Sequence, residues 1–138
     1  MQLNHDRIRT KLTDMAAAIS RLKKLQALNR QAFLADEYSQ DIARSRLLTA
    51  IEAALNICYH VAAKKLWRVP EDYAQCFTLL GEAKLISPAL ADRLATMARF
   101  RNRLVHLYWD IDYGQVHDII CTSLGDLEDF AREVARSI

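Results

Sequence analysis

An all-α fold, an up-and-down bundle of four long helices with one or two short ones, is expected from three features of this 138-residue sequence. Turn formers are scarce, with 3 Gly and 2 Pro, so the chain has few places to reverse except between long elements. Apolar residues recur at spacings of three and four, and no alternating Val/Ile/Thr segment suggests a strand. Hydrophobic residues make up 51% of the chain, enough at this length to bury one sizeable core. Residues 1–138 are therefore expected to form a single helical domain.

The elements follow in order. Ile8, Leu12, Met15, Ile19 and Leu22 form the seam of an amphipathic helix running roughly from Asp6 to Leu28. A short helical piece is expected around Gln31 to Ala35. Leu47, Leu48, Ile51, Ala54, Leu55, Cys58 and Ala62 mark a second long helix from about Ser39 to Leu66, whose Ala50, Ala53 and Ala54 permit close packing. Pro70 ends it and prepares a shorter helix with Tyr73, Cys76, Phe77 and Leu80 inward, finishing near Lys84. Ser87-Pro88, a cap followed by a first-turn proline, opens a third long helix. The segment Asp110-Ile111-Asp112-Tyr113-Gly114 closes it. Asp112 is positioned to cap a last helix with Val116, Ile120, Leu124, Leu127, Ala131 and Val134 inward and Gly125 as a tolerated weakness.

The formal charge of +2 falls well short of the basic stripe of a protein that holds nucleic acid by charge alone. Cys58, Cys76 and Cys121 are odd in number and far apart, so they are expected to be buried free thiols, which favours a reducing cytoplasm. No segment approaches the ~20 apolar residues of a membrane span, and a soluble, cytoplasmic protein is expected. There is no glycine-rich phosphate loop, no serine nucleophile elbow and no paired-cysteine metal spacing. None of His5, His60, His106 and His117 has a Glu three residues before it, so the di-metal bundle pattern is missing too. No metal and no cofactor are expected, and His60 and His117 are expected to have no functional role.

One stretch of the third long helix puts pattern and chemistry in conflict: Phe100-Arg101-Asn102-Arg103-Leu104-Val105-His106-Leu107-Tyr108. At about 100° per residue, Leu90, Leu94, Met97, Ala98, Leu104 and Val105 form one apolar face. Arg101 lies near the middle of that face, Tyr108 returns to nearly the same direction, and Asn102 and His106 pair along one flank. A buried, unpaired guanidinium costs several kcal/mol, roughly, so either a neighbouring carboxylate pairs Arg101 or the face lines a cleft. Arg99 and Arg103 point the other way, as a solvated helix back or as phosphate contacts beside a site.

Arg101, Asn102, His106 and Tyr108 resemble, position by position, the signature of the HEPN superfamily: Arg, a polar residue, three more residues, His, one residue, Tyr. The closest fit is to its HepT-like branch, and the segments Leu47 to Leu55, Phe77 to Leu80 and Tyr108 to Asp112 are similar to the same branch. The resemblance implies a metal-independent endoribonuclease toxin of a type VII toxin–antitoxin pair, cutting tRNA or mRNA. It implies a homodimer with two motifs near the shared interface, and a minimal nucleotidyltransferase antitoxin of the MntA type that silences the toxin by attaching AMP to Tyr108. In that reading His106 is the acid/base, Arg101 holds the phosphate and stabilises its developing charge, and Asn102 orients His106 or the substrate. RNA supplies its own nucleophile, the 2′-hydroxyl, which also distinguishes it from DNA. Phe100 and Leu107, apolar but off the main core face, are candidate interface residues. The alternative is a non-catalytic helical module that binds a nucleotide or a nucleotidyltransferase partner through the same side chains.

Overall fold

The computed structural model describes residues 3–106 and 110–138, all of its regular structure helical. Seven helices are described: α1 (His5–Leu25), α2 (Arg30–Leu34), α3 (Glu37–Lys65), α4 (Tyr73–Glu82), α5 (Pro88–His106), α6 (Tyr113–Thr122) and α7 (Leu124–Ser137). Short polar side chains set most of the starts. Asn4, Asn29, Asp36, Asp72 and Asp112 each accept a backbone N–H from the first turn of α1, α2, α3, α4 and α6. Ser87 does the same for α5, its hydroxyl accepting the Leu90 N–H at 3.2 Å, while the Ser87 N–H reaches Glu133 of α7. α3 and α4 each end beside a residue in the left-handed region, Trp67 and Lys84.

α3 is the axis of the bundle and touches every other helix. Its apolar residues wrap most of its circumference, as a central helix requires: Leu47, Ala50, Ile51, Ala54, Leu55, Ile57, Cys58 and Val61 are all buried. Phe33, Phe77, Phe130, Leu22, Leu80, Leu94 and Leu104 close the core around it from α2, α4, α7, α1 and α5. α4 and α5 pack tightly at Gly81, where an added Cβ would lie 2.6 Å from that of Ala91.

Three expectations need correction. The last long helix is broken in two at Ser123 (φ −121, ψ −1). Thr122, Ser123 and Gly125 make a run of weak helix formers at the break. Cys58 and Cys76 are buried free thiols as expected, but Cys121 is exposed, off the inward face of Val116, Ile120 and Leu124. Phe100 is a core residue at 4% exposure, not a surface one. It shares cavities with Ile111 and with Gln115 and Ile119 of α6, a side of α5 that the helical wheel alone leaves open. Among the described residues, no helix is long and apolar enough to cross a membrane.

Candidate active site

Both expectations for Arg101 are met at once: it has a carboxylate partner and it faces a cleft. From the middle of the α3 apolar run Glu52 accepts Nη2 of Arg101 at 2.9 Å. Nη1 of Arg101 donates to Oδ1 of Asn102 at 3.3 Å. The guanidinium carbon lies 4.6 Å from the centroid of the Tyr73 ring at the start of α4, a cation–π contact that holds the plane of the fork. The Arg101 side chain is only 14% exposed, and its Nε is buried with no acceptor among the described residues.

Arg101 forms part of the wall of a cleft of about 510 Å³ between α1, α3, α4 and α5. Its other polar lining residues are Arg7, Glu52, Asn56, Tyr59, His60, Lys64 and Tyr73. Nε of Arg7 donates to Oδ1 of Asn56 at 3.1 Å, so Asn56 holds the base of that guanidinium. Nε2 of His60 accepts the backbone N–H of Asn4 at 2.9 Å, which fixes the ring as neutral. Burial, followed by the charges of Arg7 and Lys64, holds its pKa below the usual histidine value.

The predicted site residues are not all gathered in this cleft. Arg101 and Asn102 are joined, and His106 is exposed in the last described turn of α5, about one and a half turns further on. Tyr108 and Leu107 lie outside the described residues. Arg99 is exposed, and Arg103 stacks its guanidinium over Phe100, 5.7 Å from the ring centroid, on cavities that Arg101 does not line. His117, like His60, is buried, with Nε2 donating to the Leu28 carbonyl at 2.9 Å, so both tie chain segments together.

Two contributors are absent from the motif. Glu52 could have been found as the single acidic residue between Asp41 and Glu71. Arg44, also on α3, donates Nη2 to the Leu104 carbonyl at 3.2 Å and pins the last turn of α5 beside His106. Nothing in its surroundings in the sequence distinguishes it from other helix arginines. Chemically, the arrangement offers a fixed, half-buried cation for a phosphate and an imidazole that solvent and substrate can reach. Among the described residues no three His, Cys, Asp or Glu side chains converge as a metal site.

A family model described as "Ribonuclease HepT-like" matches residues 15–134. The tRNA nuclease HepT of Aphanizomenon flos-aquae is 30% identical over 128 residues, 92% of this chain and 86% of that protein. The mRNA nuclease HepT of Shewanella oneidensis is 29% identical over 126 residues, 91% of this chain and 94% of that protein. Among solved structures, the tri-AMPylated HEPN toxin of Shewanella oneidensis in complex with an MNT antitoxin superposes with a TM-score of 0.86 at 27% identity, covering 95% of this chain and 98% of that one.

Proposed function

Because the chain belongs to the HepT-like ribonuclease family, we propose that it is the toxin of a toxin–antitoxin pair and cleaves RNA at the Arg101–His106 motif without a metal ion. The observation that carries this reading is the state of Arg101. Its side chain is mostly buried at the wall of an open cleft, and it keeps an Nε–H without an acceptor among the described residues. Glu52, Asn102 and Tyr73 fix its direction at the cleft wall, the preorganisation that stabilising charge on a phosphate requires.

The chemistry follows from the substrate. The 2′-oxygen of RNA attacks the adjacent phosphorus and loses its proton to a base. The P–O5′ bond breaks, and the 5′-oxygen takes a proton from an acid, leaving a 2′,3′-cyclic phosphate and a 5′-hydroxyl. Arg101, held in place by Glu52 and Tyr73, stabilises the extra negative charge that the phosphorane oxygens carry. His106 serves as base or acid, and Asn102, already joined to Arg101, orients the pair. One His106 per chain fills one of the two proton-transfer roles. A two-fold homodimer supplies the second, its interface lying elsewhere than at Phe100. The two relatives act on tRNA and on mRNA, so the target class here is RNA, without a choice between them.

Control follows the same site. The partner is a minimal nucleotidyltransferase antitoxin, in line with the MNT antitoxin bound to the Shewanella toxin, and AMP attached to Tyr108 adds bulk and a negative phosphate that repels the RNA backbone. His106→Ala and Arg101→Ala each abolish cleavage of total RNA, with unchanged circular dichroism and with chelator making no difference to the parent. Parent-level cleavage by His106→Ala, or a need for added metal, overturns the mechanism. Co-expression with the antitoxin adds AMP to the toxin at Tyr108. An adduct mapped by mass spectrometry to Tyr113 refutes this account of control.

A further inference from the structure

The cleft behind Arg101 has features that holding a single phosphate does not require. At about 510 Å³ it falls within the range of small-ligand sites. Three cations, Arg7, Lys64 and Arg101, face it against one carboxylate, Glu52. The opposite character is there too: Tyr59 and Tyr73 meet edge to face, 5.8 Å between centroids, and form an aromatic wall. Glu52, Asn56, Tyr59 and Ala63 line it along one stripe of α3, so the cleft leads away from Arg101 along the helix. Asn56 grips only Nε of Arg7, and the two Nη groups of that arginine make no hydrogen bond among the described residues.

We propose that this cleft is a nucleotide subsite. It holds the unit of single-stranded RNA next to the scissile phosphate, with the base against Tyr59 and Tyr73 and the following phosphate between Arg7 and Lys64. Stacking on aromatic rings beside a basic track is how single strands are held without strict sequence choice. The inference rests on the ribonuclease reading above, and the test separates the two.

The probe is a 2′-O-methyl RNA oligonucleotide, which has no free 2′-hydroxyl and cannot be cut. In the intact protein it raises the titration midpoint of His60, followed by NMR, because an anion between Arg7 and Lys64 offsets the positive field that helps keep this ring neutral. The double variant Arg7→Gln/Lys64→Gln loses that rise. It raises KM for RNA cleavage about tenfold with kcat reduced less than threefold. The slope of log affinity against log salt falls by about 0.7, the share of the one phosphate that Arg7 and Lys64 neutralise together. The control Lys23→Gln/Arg132→Gln removes the same charge from the groove between α1 and α7 and shifts KM less than twofold. A His60 midpoint that the oligonucleotide leaves unmoved, or a KM within twofold of the parent in Arg7→Gln/Lys64→Gln, overturns the subsite while His106-dependent cleavage stands. Cleavage that survives His106→Ala instead overturns the mechanism, and the subsite is then judged on oligonucleotide binding alone.

Discussion

The Glu52–Arg101 pair shows how a single side chain can matter more to alignment than to stability. The carboxylate is 48% exposed, so solvent screens the pair and its net contribution is under ~1 kcal/mol. Its geometric effect is larger, since it fixes one of the two terminal nitrogens of the guanidinium. Glu52→Gln is therefore expected to leave the melting temperature nearly unchanged while lowering kcat about tenfold, ~1.4 kcal/mol of transition-state stabilisation. Parent-level kcat in that variant would show that Tyr73 and Asn102 suffice to orient Arg101. At this scale the place of Arg101, beside a carboxylate at a cleft wall, was legible because a charged residue in an apolar stripe contradicts its surroundings. Glu52 stands out as the one acidic residue in its apolar run, but nothing local names its partner 49 residues away. The helical wheel also misplaced Phe100, since it shows which side of a helix a residue takes but not what covers that side.

The placement of the motif helix depends on its close contact with α4. A methyl group at Gly81 would meet the Ala91 Cβ at 2.6 Å, and neither has a flexible end that can move aside. Gly81→Ala gains about 0.5–1 kcal/mol of helix propensity, but prying two packed helices apart costs about 1–3 kcal/mol, so the net effect is a loss. The melting temperature is expected to drop by a few degrees, with kcat falling as α5 shifts. A thermal melt equal to the parent's would mean that the α4–α5 contact relaxes freely. Element starts were legible where a cap and a proline or acid stand together, as at Ser87-Pro88 and Asp112. The break at Ser123 was not, because apolar periodicity runs on across it and only the weak helix formers Thr122, Ser123 and Gly125 mark the place.

For the whole molecule, assembly is the open physical quantity. The mechanism needs a second proton-transfer group, and the protein is expected to scatter light as twice 15.8 kDa, with specific activity falling on dilution below the dimer's dissociation constant. A species of 15.8 kDa that still cuts RNA would contradict this. The all-helical architecture was legible from periodicity and the scarcity of turn formers. The gathering of positive charge was not, because Arg7, Lys64 and Arg101 come from three separate helices and the total of +2 gives no hint that they meet.

Arg44 and Glu52 both belong to α3, and between them they hold the Leu104 carbonyl and the Arg101 guanidinium of α5. The helix that carries the motif is thus gauged at two points against one rod. Any tilt of α3 relative to α1 or α7 carries both reference points with it, and the offset between the Arg101 guanidinium and the His106 imidazole is kept as a common-mode displacement rather than an error. Tolerance to breathing of the outer helices is then a property of the site itself, and the variants most damaging to its alignment are those that act between α3 and α5.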